Sequence, residues 1–129
     1  MSTRSSITVK IGENFKSVYC HLKGHPSING VILLEHYNTQ FLAETVVALG
    51  SLSVLDKSME KPEGHTFNNQ IDGYSVAYGR DRGEVNVEPL VSSSYAEILL
   101  DNKQAYNYLW DGKWMVNGQE LTKELCDKD

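Results

Sequence analysis

Hydrophobic and polar residues alternate through the first 22 residues of the chain. One side of "SITVKIG" carries Ile7, Val9 and Ile11, and one side of "KSVYCHLKG" carries Val18, Cys20 and Leu22. A period of two is typical of a half-buried strand, and the short turn at Gly12 joins the two runs. The pattern predicts an antiparallel hairpin from Ser6 to Leu22.

The apolar period changes from 2 to 3.6 after Gly30. "VILLEHY" predicts a helix from about Val31 to Tyr37, and "QFLAETVVALG" predicts a second helix from Phe41 to Leu49, with Gly50 as its C-terminal stop. In the second helix the expected buried face contains Phe41, Leu42, Thr45, Val46 and Leu49. "SLSVL" is interpreted as a helical turn packed beneath it.

The rest of the chain mixes strands, helices and one long loop. Residues Asp56 to Gln70 are polar and aperiodic, which predicts a surface loop. The further expected elements are a strand at "YSVAY", an extended segment at "VNVEPLV", a helix at "SSSYAEILLDNK", a hairpin on the Asp111-Gly112 turn and a closing helix at "QELTKELC". This order predicts one α+β domain over residues 1–129, an antiparallel sheet with helices packed on one face. The expected core comprises Ile7, Val9, Val18, Cys20, Leu34, Leu42, Val46, Val76 and Leu99.

Composition limits the classes of function. The chain has 129 residues, a net charge of -5 and two distant cysteines. Direct nucleic-acid binding is disfavoured because such proteins are normally basic. No apolar run is long enough to span a membrane, and no secretory signal is recognisable, so we expect a cytosolic protein with reduced thiols. The sequence leaves homo-oligomer formation open.

Histidines and cysteines offer few candidates for chemistry. Cys20, His21 and His25 form C-H-x-x-x-H, but no second pair of ligands follows at short spacing, so we expect no metal and no cofactor. Cys20 alternates with apolar residues, which predicts an inert, buried thiol. His21 and His36, the latter beside Tyr37, lie near the ends of apolar elements, where an imidazole can act as an acid, a base or a donor to an anion.

The stretch "YGRDRGE" places Arg80 and Arg82 on either side of Asp81. The two guanidinium groups could hold a phosphate or carboxylate bidentately, or the stretch could be a salt-bridged turn. Besides these two, the chain has only Arg4. If Arg4, His21, Arg80 and Arg82 converge, they form an electropositive pocket, and alanine at Arg80 and Arg82 should abolish function with little effect on stability. Otherwise the site should lie around His36, Tyr37 and the 56–70 loop.

Several motifs taken together resemble a family of small, largely uncharacterised proteins of bacteriophages and prophages. They are "TRSSI", "VYCHLKGHPSINGVILLEHYNT", "ALGSLSVL", "YGRDRGE" and "KWMVNG". The chain departs from the family pattern at His25, where a tyrosine is usual, and at Lys23, where an aspartate is usual. The resemblance implies an accessory protein made in the cytoplasm of an infected bacterial host. The positions that match its recurrent polar residues are Arg4, His21, His36, Tyr37, Arg80, Asp81 and Arg82.

Three functions fit these observations. The first is an anti-defence or host-takeover protein that binds and inhibits a host protein or complex; small size, acidity and the absence of a standard catalytic motif favour it. The second is a sponge for a small anionic nucleotide signal of antiviral immunity, held by arginines, histidines and a stacking aromatic. The third is a small phosphoester-cleaving enzyme that uses His21 or His36 with the arginines. We expect a binding protein rather than an enzyme.

Overall fold

A computed structural model of the protein describes residues 2–128, which form one mixed sheet and five α-helices. The strands are β1 (Ser5–Ile11), β2 (Asn14–Cys20), β3 (Leu52–Val54), β4 (Val76–Ala77), β5 (Leu90–Ser92), β6 (Tyr106–Trp110), β7 (Trp114–Val116) and β8 (Gln119–Glu120). Their order is β4-β3-β2-β1-β6-β7-β8, and β5 pairs with β2 outside this path. A π-helical turn (Pro26–Gly30) leads into α1 (Val31–His36), followed by α2 (Gln40–Val47), α3 (Tyr78–Arg82), α4 (Tyr95–Asn102) and α5 (Lys123–Lys128).

The opening hairpin is confirmed. β1 and β2 pair antiparallel, with Ile7 opposite Val18 and Ile11 opposite Asn14, so the turn contains only two residues. Gly12, the first of them, has a φ of +63°. Glycine is favoured at this position because a two-residue hairpin turn needs a positive φ there, which residues with a side chain adopt only with strain.

Most of the sheet is antiparallel, but two of its pairings are parallel. β1 pairs parallel with β6, with Ile7 opposite Tyr108, and β2 pairs parallel with β3 through Cys20 and Leu52. The α+β class is confirmed, and the sheet is mixed rather than wholly antiparallel. The opening hairpin lies in the middle of the sheet because the C-terminal strands attach to its outer side.

The sheet has an apolar face covered by helices and a second face that is partly covered. Ile7 and Val9 pack with Ala43 and Val46 of α2 on the first face, together with residues of α1 and α5. Ser17 alternates with Val18 and so points to the second face, where its Oγ accepts a hydrogen bond of 3.0 Å from Asn102 of α4. The predicted packing of helices on one face of the sheet is therefore seen for α1, α2 and α5, whereas α4 packs on the other face.

Side-chain caps begin the two longest helices. Thr39 Oγ1 accepts from the backbone N–H of Leu42 at 3.2 Å, and Ser94 Oγ accepts from that of Glu97 at 3.3 Å. Both bonds satisfy N–H groups that have no partner within their own helix. The predicted helices at residues 31–37 and 41–49 are confirmed to within two residues at each end, and the helix predicted within "SSSYAEILLDNK" is α4.

Four local predictions need correction. "SLSVL" contains strand β3 rather than a helical turn, and "YSVAY" contributes only the two residues of β4. "YGRDRGE" is helical rather than a turn, because its first five residues form helix α3, which ends at Gly83 with a φ of +74°. "QELTKELC" divides into β8 and α5.

The buried residues confirm most of the expected core and correct part of it. Ile7, Val9, Val18, Cys20, Val46 and Val76 are buried as expected. Leu33, not Leu34, is the fully buried leucine of α1, and Leu34 and Leu99 are only partly buried. In α2 the buried side chains are Ala43, Val46 and Val47, whereas Phe41 is 76% exposed and Leu42 is 37% exposed. The helix is therefore rotated relative to the predicted face.

This rotation makes a direct prediction for two leucines. Leu33→Ala should lower the free energy of unfolding by about 2–5 kcal/mol because it leaves a cavity in the core. Leu42→Ala should lower it by less than about 1 kcal/mol because its side chain already contacts water. Urea denaturation of both variants measures the difference, and equal losses would show that α2 buries its Leu42 face after all.

Candidate functional site

Arg80 and Asp81 form a buried ion pair within the short helix α3. The Asp81 side chain is 0% exposed and accepts from Arg80 Nε at 2.9 Å. It also accepts from the backbone N–H of Ala77 at 2.8 Å. Burial works to raise the pKa of the Asp81 carboxyl, but the hydrogen bonds from Arg80 and Ala77 and the nearby charges outweigh it, so the pKa is lowered overall. Asp81 is therefore held as a carboxylate.

The rest of the Arg80 guanidinium is occupied by backbone carbonyls. Nη1 donates to the carbonyl of Met59 at 2.6 Å, and Nη2 donates to that of Ser75 at 3.1 Å and to Asp81 Oδ2 at 3.1 Å. Guanidinium has five N–H donors, and these contacts together with Nε use four of them. The proposed fork of Arg80 and Arg82 around an external anion is therefore wrong for Arg80, whose role is structural.

His65 completes this buried cluster from within the long loop. Its side chain is 0% exposed, and its Nε2 lies 3.5 Å from Asp81 Oδ2. Its Nδ1 accepts from the backbone N–H of Ile71 at 3.1 Å, so the proton of a neutral ring sits on Nε2, facing the carboxylate. The loop is irregular, as predicted, but it is anchored to α3 through a histidine that sequence reasoning did not single out.

The remaining candidates separate into two groups on opposite sides of the sheet. His36 and Tyr37 lie at the end of α1, on the side covered by helices. Arg4 and His21 lie on the other side, because their positions alternate with the core residues Ser5 and Cys20. Arg80 lies with His36 and Tyr37 on the side covered by helices. The single pocket of Arg4, His21, Arg80 and Arg82 is therefore not formed.

A groove of about 590 Å³ lies between α1, α2 and the long loop. We call it the α2 groove; it is lined by His36, Tyr37, Leu42, Thr45, Ala48, Leu49, Lys57, Ser58, Met59, Glu60 and Arg80. Tyr37 is 3% exposed, and its hydroxyl donates to the carbonyl of Asp56 at 2.6 Å. Burial raises the pKa of Tyr37 to about 12, so its phenol stays protonated and fixes the loop to α1.

The edge of the α2 groove exposes large apolar side chains. Leu42 lines the groove, and its neighbour Phe41 is 76% exposed on the first turn of α2. Polar residues from the long loop, including Lys57 and Glu60, lie on the other side. Exposed apolar side chains beside polar ones are typical of a protein–protein interface.

The second group is built around Tyr19. Its hydroxyl lies 2.7 Å from His21 Nδ1, and His21 Nε2 lies 3.3 Å from the hydroxyl of Ser2. Partial burial raises the pKa of Tyr19, the Arg4 guanidinium opposes this through its charge and a hydrogen bond, and the nearby phenol of Tyr78 adds to the increase. Arg4 and His21 do converge, with Tyr19 between them.

Arg82 joins this side through aromatic contacts. Its guanidinium carbon lies 4.8 Å from the centre of the Phe67 ring, a cation–π distance. The Phe67 and Tyr78 ring centres are 5.7 Å apart. Tyr78 and Arg82 are four residues apart in α3 and therefore share one face of that helix. Arg82 is thus separated from its sequence neighbour Arg80, which points to the α2 groove.

Metal and thiol chemistry receive no support from the geometry. Among residues 2–128, no three His, Cys, Asp or Glu side chains converge in a way that could hold a metal ion. Cys20 is fully buried, and burial raises the pKa of its thiol to about 11, which disfavours the reactive thiolate.

The residues that sequence reasoning missed are Phe41, Leu42, Tyr19, Phe67 and His65. The first two were assigned to the core. Tyr19 carried a usable signal, since it lies between His21 and Ser17 on the side of β2 that faces away from Cys20. Phe67 and His65 lie in a polar, aperiodic segment whose pattern gives no indication of burial.

Comparison with known proteins gives no further identification: no family model, no curated protein and no solved structure matches the chain. Within residues 2–128, no helix has the length and apolarity needed to cross a membrane.

Proposed function

We propose that this chain is a phage-encoded accessory protein that binds and inhibits a host protein or complex, and that the α2 groove is its contact surface. The observation that carries the proposal is the exposure of Phe41 and Leu42 beside a groove whose lining includes several apolar side chains. Exposed phenylalanine is costly to leave in water, and buried aromatic anchors dominate binding energy at protein interfaces. The phage setting rests on the sequence resemblance.

The shape of the α2 groove favours a peptide segment as the occupant. Its lining includes Leu42, Ala48, Leu49 and Met59, which suit an apolar side chain of the partner. Methionine is flexible and adapts to the shape of such a side chain. The polar residues of the long loop could then bond the backbone of the inserted segment.

Binding is favoured over catalysis by the state of Arg80. His36 and Arg80 both line the α2 groove, as a phosphoester-cleaving enzyme would require. However, the guanidinium of Arg80 is already bonded to Asp81 and to the carbonyls of Met59 and Ser75, so it has little capacity to stabilise a developing charge.

Phe41→Asp tests the proposal directly. The change should weaken binding of the host partner by about 2 kcal/mol or more, roughly thirtyfold, because it places a charge at an apolar contact. Tagged wild-type and variant proteins are purified from expressing bacteria, the retained host proteins are identified, and the affinity of the purified pair is measured by calorimetry.

Leu100→Asp is the matched control, since Leu100 is 84% exposed on α4, on the other side of the sheet. Both variants should keep the melting temperature of the wild type. If the Phe41→Asp and Leu100→Asp variants bind the host partner with equal affinity, the α2 groove is not the binding site. If no host protein binds the wild type at all, the inhibitor function itself is wrong.

A further inference from the structure

The face of the sheet opposite the α2 groove carries a row of cationic and aromatic side chains. We call it the basic–aromatic strip; its residues are Arg4, Tyr19, His21, Phe67, Tyr78 and Arg82. Contacts join Tyr19 to His21 and join Tyr78, Phe67 and Arg82 to one another. Tyr78 follows Ala77, which lies on the core face, and so points to the same face as Tyr19. Such a row is unexpected on a protein whose net charge is -5.

One end of the strip is a concave basic pocket. A depression of about 400 Å³ is lined by Ser2, Thr3, Arg4, Lys103, Gln104 and Ala105. Arg4 and Lys103 are both exposed, and within residues 2–128 no carboxylate lies at salt-bridge distance from either. Two cations without a carboxylate partner, beside the hydroxyls of Ser2 and Thr3, suit a phosphate group, which arginine can bind bidentately.

The other end of the strip is an aromatic platform. Tyr78 and Phe67 are only partly buried, and Arg82, exposed above Phe67, likewise has no carboxylate partner at salt-bridge distance in the described chain. Aromatic rings and arginine planes are the groups on which nucleic-acid bases stack. Tyr19 lies between this platform and the basic pocket, near the phenol of Tyr78.

The distance between the two ends matches a small ligand. Arg4 precedes β1, and Tyr78 follows β4, with β2 and β3 between them. Three strand spacings amount to about 14 Å. A ligand that reaches both ends must therefore combine an aromatic group with phosphate over roughly that length.

We propose that the basic–aromatic strip binds a small nucleotide, with its phosphates in the basic pocket at Arg4 and Lys103 and a base against the rings of Tyr19 and Tyr78. This activity goes beyond the proposed inhibition of a host protein, because it uses the opposite face of the sheet and none of the residues of the α2 groove. The net negative charge of the chain favours a small ligand over a long polyanion, which would be repelled outside the strip.

Calorimetric titration of the purified protein tests the assignment with ATP, cyclic di-AMP, pyrophosphate, adenosine and a ten-nucleotide DNA strand as probes. At least one of the two nucleotides should bind more tightly than pyrophosphate or adenosine, because only a nucleotide fills both ends. Arg4→Ala should weaken the nucleotide and pyrophosphate alike by about tenfold. Tyr78→Ala should weaken the nucleotide by about tenfold and leave pyrophosphate unchanged.

Lys123→Ala, which removes an exposed cation from α5, is the control and should bind as the wild type does. Melting curves establish that each variant is folded; if Tyr78→Ala is not, Arg82→Ala replaces it with the same expected selectivity. The proposal is overturned if neither nucleotide binds at millimolar concentration. It is also overturned if neither Arg4→Ala nor Tyr78→Ala weakens nucleotide binding. Tighter binding of the DNA strand than of both nucleotides also overturns it in favour of a nucleic-acid surface. Phe41→Asp should not change nucleotide binding, so the outcome is separate from that for the α2 groove.

Discussion

Asp81→Ala is expected to lower the free energy of unfolding by about 3–5 kcal/mol, a large part of the 5–15 kcal/mol that stabilises a typical domain. The substitution removes the acceptor for Arg80 and for the backbone N–H of Ala77, and it leaves the charge of Arg80 partly buried without its carboxylate. It also removes the group that faces His65 Nε2. The long loop should lose one of its attachments to α3, the contact between His65 and the carboxylate.

Urea denaturation at neutral pH measures this loss, with Asp72→Ala as the control for removing an exposed carboxylate from the same part of the chain. Arg82→Ala should be nearly neutral, because its contact with Phe67 is exposed. The two arginines therefore differ, and the sequence-based expectation that alanine at both would leave stability unchanged does not hold for Arg80. An Asp81→Ala variant within 1 kcal/mol of the wild type would refute the buried-pair interpretation.

The same variant should alter the dependence of stability on pH. The pKa of Asp81 is lowered in the folded protein, so its contribution is fully present above its unfolded value of about 4 and is lost as the pH falls through the folded value. Wild type and Asp81→Ala should therefore differ most at neutral pH, and the difference should narrow in acid, below about pH 4. A difference that stays constant from pH 7 to pH 3 would exclude this linkage.

Trp114→Ala is expected to have an effect of similar size, about 3–5 kcal/mol. Trp114 is 1% exposed, and its ring meets that of Trp110 edge to face at a centroid distance of 5.4 Å. Its Nε1 donates to the carbonyl of Tyr37 at 3.0 Å, which ties β7 to the junction of α1 and α2. Alanine removes the apolar volume, the ring contact and this hydrogen bond together.

Two further variants separate these contributions when unfolding is measured in urea. Trp114→Phe keeps much of the ring volume but leaves the Tyr37 carbonyl without its donor, and should cost about 1–3 kcal/mol. Met115→Ala, at the partly exposed neighbour on the opposite face of β7, should cost less than Trp114→Ala. If Trp114→Ala proves no more destabilising than Met115→Ala, the indole does not hold the helical layer to the sheet.

Local sequence patterns were sufficient to predict the elements that are formed by residues close together in the chain. The hairpin of β1 and β2 follows from alternation alone, and the helices α1, α2 and α4 follow from spacing and from caps such as Thr39 and Ser94. The parallel pairing of β1 with β6 could not be found in this way. It joins residues about 100 positions apart, such as Ser6 and Asn107, and no local periodicity encodes which strand lies beside which.

The errors in the candidate site have physical causes. The sequence placed Phe41 and Leu42 in the core because they are the largest apolar residues of α2, whereas the helix buries the small Ala43 and leaves them exposed. "YGRDRGE" looked like a turn because it contains two glycines, although only Gly83 ends a helix. A protein departs from its own hydrophobic pattern most often where it must bind something, so the rotation of α2 itself supports a docking role.

The position of β1 has a consequence for the order in which the nascent chain can fold. β1 and β2 are complete after 20 residues, yet one edge of β1 is closed only by residues 106–110. Pairings over such separations form slowly, because the entropy of closing the intervening chain must be lost first. During synthesis the hairpin therefore exposes the unpaired N–H and C=O groups of a central strand until residues 106–110 have been made. A product that stops before residue 106 retains that open edge, which is a template for aggregation.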